Sequence, residues 1–308
     1  MDSFEPYLRQ VKSPQGLLIR RIYFFSQYLL FRVAAFLVSG LSGPSAMTMA
    51  KGIGALLFLR TRRRRISIEN VRQAFPEKSD QEIKTIGRES MQGMIKVIFE
   101  FLRIPTIALK PEKYIEVQGE ENVWAALEKK KGLVLIVSHF GNWELMGVAA
   151  AAKGFPIYAI GKPVKNPFVY AFIKRWRGAT GLQSIDQKGA IKKTIQLLKE
   201  NKIIAMLIDE HVKKGEVWVD FLGRQAATSA LPAMLSLKYG VPAIPTFFYR
   251  KTTGRSVLFF GKPFDSIETG HFQADLMVNT QQYVRRLEQE IRKCPGDWTL
   301  WMHNRWRG

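Results

Sequence analysis

The chain is long, strongly basic and nearly free of cysteine. Its 308 residues suffice for one large domain or two small ones with a full hydrophobic core. The single cysteine, Cys294, excludes an intrachain disulfide and any metal site made of clustered cysteines. The formal net charge of +21 predicts an anionic partner, which leaves nucleic acid, an anionic membrane, or an acidic protein or phosphorylated substrate.

The first sixty residues carry apolar runs at 22–31, 33–38 and 52–59. A membrane-spanning helix needs about 20 mostly apolar residues, and residues 22–39 nearly reach that length. A single anchor and two interfacial helices both fit this pattern, while a buried helical layer is the alternative without a membrane. We expect residues 1–60 to anchor the chain and residues 61–308 to form the remaining domain.

A run of arginines, Arg60-Thr-Arg-Arg-Arg-Arg65, follows the last apolar segment. Such a run is typical of a juxtamembrane segment on the cytoplasmic side, attracted to anionic headgroups. A solvated charge run is the plain alternative. Nucleic acid is not favoured, because lysine and arginine recur along the whole chain without zinc-finger spacing or an RNA-recognition signature.

The remainder of the chain predicts helices first and then an alternation of strands and helices. Residues 66–105 indicate helices divided at Pro76, with a capping box from Ser79 to Glu82. Predicted strands are 133–137, 156–160, 203–208, 217–221, 242–249 and 256–260, and predicted helices are 142–152, 167–177, 187–200, 229–239 and 272–293. This alternation predicts an α/β fold with a largely parallel or mixed central sheet flanked by helices.

One segment carries the chemistry most directly. The apolar run 133–137 predicts a buried strand, and His139 follows it. Asn142 supplies N-cap chemistry for a helix whose first turn holds Glu144. Glu144 is expected to orient the imidazole of His139, which then acts as a general base on a substrate hydroxyl. A satisfied strand-end histidine is the structural alternative.

A second histidine with the same spacing, His211 to Glu216, lacks this context. Gly215 breaks the chain before Glu216, and Glu216 begins a predicted strand. No helix would carry that carboxylate back towards His211. We therefore expect His139, and not His211, to be the base.

Clusters of polar residues follow several predicted strands. In open α/β sheets, ligands bind at the carboxyl ends of the strands. The clusters are residues 161–167, 209–211 and 221–228. Turn chemistry with solvated charge explains each one singly, but together with His139 they predict an anion-lined pocket. Nucleophile-elbow, nucleotide-loop and His-Glu-x-x-His motifs are absent from the sequence, so a metal or cofactor is not expected. A base without an enzyme nucleophile suits direct attack by a substrate hydroxyl on an activated acyl group.

These blocks together resemble the late acyltransferases of lipid A biosynthesis, within the glycerolipid acyltransferase superfamily. The matching blocks, in chain order, are the apolar N-terminus with its arginines, Glu69–Glu77, Ser138–Glu144, Lys162–Pro167, Asp209 with Phe221–Thr228, Gly240–Pro245 and the terminal stretch Asp297–Arg307. The resemblance extends over nearly the whole chain.

The resemblance implies transfer of a fatty acyl chain from acyl carrier protein to a hydroxyl of an acylated, phosphorylated glucosamine disaccharide. It places that reaction at the cytoplasmic face of the bacterial inner membrane. His139 would be the base and Glu144 its orienting partner. The positions expected near substrate are Asn142, Lys162, Asn166, Arg177 and Asp209.

Two positions depart from the family pattern, which usually has Arg where Lys162 stands and Gln where Glu210 stands. Arg and Lys differ in bidentate phosphate recognition, so the acceptor stays open. Relatives that acylate mannosylated phosphoinositides share the His-x4-acid block, and coenzyme A is the alternative acyl carrier. A non-catalytic basic protein bound to membrane or nucleic acid is the alternative of a different class.

Overall fold

The fold was analysed in a computed structural model, which describes residues 14–60, 62–161, 164–186, 189–213, 215–251 and 255–306. The helices are α1 Pro14–Ser39, α2 Gly43–Arg60, α3 Arg62–Ala74, α4 Asp80–Leu102, α5 Ile104–Ala108, α6 Pro111–Tyr114, α7 Glu120–Glu128, α8 Trp143–Ala152, α9 Pro167–Ala179, α10 Ala190–Lys199, α11 Leu231–Tyr239 and α12 Phe272–Lys293. The strands are β1 Ile115–Gln118, β2 Leu133–Val137, β3 Ile157–Gly161, β4 Gln183–Asp186, β5 Ile203–Leu207, β6 Glu216–Phe221, β7 Arg224–Ser229, β8 Ala243–Arg250 and β9 Ser256–Phe260. Short 3₁₀ turns at Pro295–Asp297 and Thr299–Met302 follow the last helix.

The central sheet has seven strands in the order β1-β9-β8-β2-β5-β3-β4. Neighbours pair in parallel except for β8 and β9, which are antiparallel. The predicted α/β fold with a mixed central sheet is confirmed. Because β2, β5 and β3 run in parallel, their carboxyl ends meet at one edge of the sheet, which is where the polar strand-end residues gather.

Strand β2 lies in the middle of the sheet and is buried on both faces. Its side chains alternate between two cores: Val134 and Ile136 pack into one, and Leu133, Leu135 and Val137 into the other. Burial on both faces explains why this strand is a continuous apolar run and not an alternating pattern.

Strand β6, predicted at 217–221, exists but belongs to a separate hairpin. It pairs antiparallel with β7 in a two-stranded sheet. The polar stretch 221–228 was expected to be a strand-end loop, but residues 224–228 of it lie in β7, which continues to Ser229. Small side chains on β7, with Ala226 and Ala227 buried, allow the hairpin to pack closely on the core.

The predicted break at Pro76 separates α3 from α4. The predicted capping box is present: the Ser79 hydroxyl accepts from the Glu82 amide, and the Glu82 carboxylate accepts from the Ser79 amide at 2.9 Å. This start fixes α4, a helix of 23 residues that supplies buried support to the site.

Helix α1 presents an apolar surface to solvent. The segment Gly16–Ser39 is long and apolar enough to cross a membrane. Only 17% of its most apolar stretch of 18 residues is buried in the protein. Its most exposed large apolar side chains are Leu18, Ile19, Ile22, Leu30, Phe36 and Leu37, each at least 60% exposed. A helix that buries so few apolar side chains in the protein is a candidate anchor.

The N-terminal helices α1 and α2 pack on the rest of the protein. On α1, Phe25, Tyr28 and Phe31 pack against Phe168 and Phe172 of α9, with ring centroids 5.5–6.1 Å apart. Helix α2 crosses α4 so closely that a Cβ on Gly54 would lie 2.5 Å from the Cα of Gln92. Helix α2, which ends at the predicted domain boundary at residue 60, therefore packs on the domain that follows. The boundary stays a prediction.

Candidate active site

The site is assembled at the carboxyl ends of β2 and β5. These strands pair in parallel with Val137 opposite Leu207, so positions 139 and 209 lie side by side two residues later. The Nδ1 atom of His139 lies 2.8 Å from Oδ1 of Asp209, and the backbone N–H of His139 donates to Oδ2 at 2.7 Å. Asp209, 70 positions further along the chain, therefore orients the imidazole.

Asp209 is held in place by a third hydrogen bond, from Trp298 Nε1 to Oδ2 at 2.8 Å. Its carboxyl group is 1% exposed. Burial alone would raise the pKa of Asp209, but the charge of His139 and these hydrogen bonds outweigh burial and lower it. The residue was predicted to lie near substrate, whereas the described contacts connect it to His139 and Trp298.

The electrostatics of His139 suit a proton acceptor. Burial alone would lower the pKa of His139, yet the carboxylates of Asp209, Glu210 and Glu144 overcome burial and raise it. With Nδ1–H assigned as the donor to Asp209, Nε2 carries the lone pair. Nε2 lies 3.7 Å from Oε1 of Glu210, whose side chain is 46% exposed, so this nitrogen faces the accessible side of the site.

Glu144 has a different partner from the predicted one. Its carboxylate is paired with Arg177, whose Nε donates to Oε2 at 3.0 Å and whose Nη2 donates to Oε1. The Trp143 and His139 rings pack edge to face, with centroids 4.6 Å apart. Glu144 therefore acts on His139 through its charge, while Asp209 makes the direct contact. Arg177, predicted near substrate, also lies 3.5 Å from the Ser184 hydroxyl.

Asn142 caps α8, as predicted from the sequence. Its Oδ1 accepts from the backbone N–H groups of Glu144 and Leu145, both at 3.0 Å. Its Nδ2 donates to Oε2 of Glu100 at 2.7 Å, and Arg250 Nη2 donates to the same oxygen at 2.7 Å. Asn142 is fully buried, so these contacts give it a structural role, and its contact with substrate stays a prediction.

Asn166 caps α9 in the same way, accepting from the N–H groups of Phe168 and Val169. Its Nδ2 donates to the carbonyl of Phe24 at 2.7 Å and to Gln27 Oε1 at 3.1 Å. The side chain therefore connects α9 to α1. Lys162, the remaining predicted substrate contact, lies outside the described residues.

The turn after His139 is fixed by the C-terminal segment. Gly141 has a left-handed backbone conformation, with φ of 63°, and a Cβ there would lie 1.8 Å from the carbonyl oxygen of Phe248. Its N–H donates to the carbonyl of Asp297 at 3.0 Å. The carbonyl of His139 accepts from both N and Oγ1 of Thr299 at 3.0 Å. The terminal stretch of the chain therefore packs directly against the turn that carries His139.

Sequence reasoning missed several supporting residues. Glu100 and Arg250 carry no motif of their own, and they meet only when α4 and β8 fold together. Trp298 lies within the terminal stretch that resembles the family, but the sequence of that stretch does not reveal the contact of Trp298 with Asp209. The usable signal was that His139 and Asp209 each follow a predicted buried strand closely; in the structure both stand two residues after the end of their strands, β2 and β5.

One buried basic group, Arg305, lies near the pair and is 1% exposed. Its Nη1 donates to the carbonyl of Ala227 at 2.7 Å, and its Nη2 donates to the hydroxyl of Thr228. Burial lowers the pKa of Arg305 to about 10, against the opposing charges of Asp209 and Glu210. Among the described residues, no group of three His, Cys, Asp or Glu side chains is placed to hold a metal ion.

Comparison with known proteins identifies the family of the chain. The chain matches the family of bacterial lipid A biosynthesis acyltransferases over residues 17–308. It is 23% identical over 218 residues to a phosphatidylinositol mannoside acyltransferase of Mycolicibacterium smegmatis, a match that covers 69% of this chain and 70% of that protein. It is 24% identical over 289 residues to a lipid A biosynthesis lauroyltransferase of Escherichia coli, covering 88% of each. The chain therefore belongs to the bacterial lipid A biosynthesis acyltransferase family.

Proposed function

We propose that this protein transfers a fatty acyl chain from the thioester of acyl carrier protein to a hydroxyl of an acylated, phosphorylated glucosamine disaccharide. The observation that carries the proposal is the buried His139–Asp209 pair, whose Nε2 faces the accessible side of the site. The family membership supports acyl transfer, and the relative named a lauroyltransferase supports a lipid A precursor as acceptor.

The reaction needs one proton acceptor and no covalent enzyme intermediate. Nε2 of His139 takes the proton of the acceptor hydroxyl as its oxygen attacks the thioester carbonyl. The tetrahedral intermediate then collapses, the carbon–sulfur bond breaks, and the imidazolium returns its proton to the departing thiolate. Asp209 stabilises the imidazolium through the 2.8 Å contact at Nδ1. Glu144 adds negative charge near the imidazolium and holds Arg177.

We further propose that residues 1–60 hold the protein on the cytoplasmic face of the inner membrane. The exposed apolar side chains of α1 supply the apolar contact, and the run Arg62–Arg65 supplies attraction to anionic headgroups. The net charge of +21 would also raise the encounter rate with an acidic carrier protein and a phosphorylated lipid.

Lys162 is proposed to contact the phosphate or sugar of the acceptor. Lys162→Ala should raise the KM for the acceptor more than it lowers kcat, because a contact made equally in ground and transition states affects binding alone. Lys162→Arg should restore an electrostatic contact. Unchanged kinetics in the alanine variant would remove Lys162 from the site.

A second acceptor class is supported by one observation: three of the relatives are named phosphatidylinositol mannoside acyltransferases. Purified protein would be assayed with acyl carrier protein or coenzyme A thioesters against each acceptor class, and the products identified by mass spectrometry. Mass spectrometry of lipid A from cells that lack and then regain the protein gives the acceptor in vivo. Transfer that persists in folded His139→Ala would refute the proposed mechanism.

A further inference from the structure

The run Arg62–Arg65 is not uniform in the folded protein. Arg63 lies against the C-terminal segment, with Nη1 4.0 Å from Sδ of Met302. The guanidinium of Arg64 stands over the Phe58 ring at 5.8 Å. Arg62, Arg63 and Arg65 are all exposed. Among these four arginines, Arg63 has the described contact with Met302, the residue that precedes His303 in the chain.

The segment that Arg63 contacts leads directly to the catalytic histidine. Thr299 binds the carbonyl of His139, and Thr299–Met302 is a single 3₁₀ turn. Such a turn rises about 2 Å per residue, which places His303 on the order of 10 Å from the His139 backbone. The position of His303 is fixed by Asn70, whose Nδ2 donates to its carbonyl at 2.9 Å.

The charges of Arg63 and His139, at the two ends of this segment, both affect the pKa of His303. Its ring is solvent-accessible, but the surrounding protein partly desolvates it, and this burial is the main reason that the pKa of His303 is lowered. The positive charges of Arg63 and His139 lower the pKa further, while Glu210 and Asp209 act in the opposite direction. Arg63, His303 and His139 therefore belong to one electrostatic neighbourhood.

We propose that Arg63 and His303 form an anion site for the phosphate ester of the acceptor headgroup, beside the base that activates its hydroxyl. The inference rests on the proposed acyl transfer and specifies how that site recognises its substrate. A guanidinium binds two phosphate oxygens at once, and a histidine can donate a further hydrogen bond.

The location favours the acceptor over the donor as the source of this phosphate. Arg63 stands in the first turn of α3, directly after α2, whose last turns expose Leu56, Leu57 and Leu59. An apolar surface followed by arginines matches the boundary between acyl chains and headgroups. The phosphate of a lipid acceptor lies at that level, whereas the phosphodiester arm of a carrier protein approaches from the aqueous side.

The first test compares Arg63→Ala with Arg65→Ala in steady-state kinetics on mixed micelles. Both variants lose one exposed charge from the same run, so any loss of attraction to an anionic surface is shared. Loss of a charge-assisted hydrogen bond should raise the acceptor KM of Arg63→Ala by about 10- to 100-fold over that of Arg65→Ala, with a smaller change in kcat. Equal kinetics in the two variants would overturn the proposal. A rise in the donor KM alone would mean that the site binds the phosphate of the donor. That result would overturn the assignment to the acceptor.

The second test does not depend on turnover. The pKa of His303 would be followed by NMR while inorganic phosphate is added to the full-length protein in detergent. Phosphate should raise this pKa. Arg63→Ala should itself raise the pKa in the free protein and abolish the response to phosphate, while Arg65→Ala keeps it. A response that is absent from the unaltered protein, or equal in both variants, would refute the anion site. If the unaltered protein shows the phosphate response but no acyl transfer, the proposed function is refuted and the anion site is not.

Discussion

Asn142 donates a 2.7 Å hydrogen bond to the buried carboxylate of Glu100, which also pairs with Arg250. This contact joins the cap of α8 to the interior of α4. The cap follows the turn that carries His139, so the position of His139 depends on a charge that lies outside every recognisable motif. The contact can be tested separately from the capping role of Asn142.

Asn142→Asp is expected to destabilise the protein although aspartate caps helices as well as asparagine. The new carboxylate would face Glu100 without a proton between them, and we expect a loss of about 1–3 kcal/mol in the free energy of unfolding. Glu100→Gln supplies a donor to the new carboxylate and should recover part of the loss in the double variant. Denaturant unfolding of the two single variants and the double variant gives the coupling energy; purely additive losses would contradict the contact.

Asp209→Asn should lower the rate of acyl transfer by about 10²–10⁴-fold and shift its pH dependence. The charge of Asp209 raises the pKa of His139, and the base works only when it is neutral. In the unaltered protein kcat/KM should therefore fall as the pH drops through this raised pKa. The asparagine variant should move that acidic limb to lower pH, measured as kcat/KM against pH.

Glu144→Gln provides the comparison, because its charge is the smallest of the contributions that raise the pKa of His139. We expect a smaller shift of the acidic limb than in Asp209→Asn. Glu216→Gln, at the start of β6, should leave the profile unchanged. A larger shift in Glu144→Gln than in Asp209→Asn would restore the His139–Glu144 pair as the catalytic unit.

Trp298→Phe should reduce the rate by about tenfold while the fold is retained, because a hydrogen bond to a charged group is lost. The phenyl ring keeps most of the packing, but Asp209 loses the indole N–H at 2.8 Å. Trp306→Phe is the matched control, since its indole donates to the carbonyl of Phe221 at 3.0 Å and not to the pair. Single-turnover rates and thermal unfolding of both variants separate the two effects. Equal rate losses would argue against a specific role of Trp298.

Phe36→Asp should weaken binding to anionic vesicles by at least about tenfold, because an apolar side chain is replaced by a charge of the wrong sign. Phe36 is 78% exposed on α1. Ile191→Asp is the control, since Ile191 is also exposed, at 56%, but lies on α10. Vesicle sedimentation measures both variants. Equal weakening by the two changes would mean that α1 does not direct membrane contact.

The sequence predicted the strands that lie inside the sheet and missed those at its edges. Residues 133–137 and 256–260 were predicted to the residue, because burial makes them apolar runs. The missed strands β1 and β4 are the two edge strands, each of four residues, and both mix apolar with polar side chains. A short edge strand exposes part of its surface, so it lacks the apolar run that identifies an inner strand.

The site was predicted in part for a related reason. His139 is identified by a local motif, since its strand, turn and helix are consecutive in the sequence. Its direct partner Asp209 is not, because the contact depends on which strands pair and in what register. Local spacing favoured Glu144, but a carboxylate in the first turn of α8 also meets Arg177 from α9, and the ion pair determines where it lies.

The contacts between α1 and α9 have a consequence for the geometry of the reaction. Helix α1 has 26 residues and is therefore about 39 Å long, longer than the roughly 30 Å hydrocarbon core of a bilayer. Because α9 also carries Arg177, the partner of Glu144, the proposed anchoring would make the depth of α1 in lipid set the distance of His139 from the headgroups. A thicker or thinner bilayer would then change the distance between the acceptor hydroxyl and the imidazole, and with it the rate of transfer.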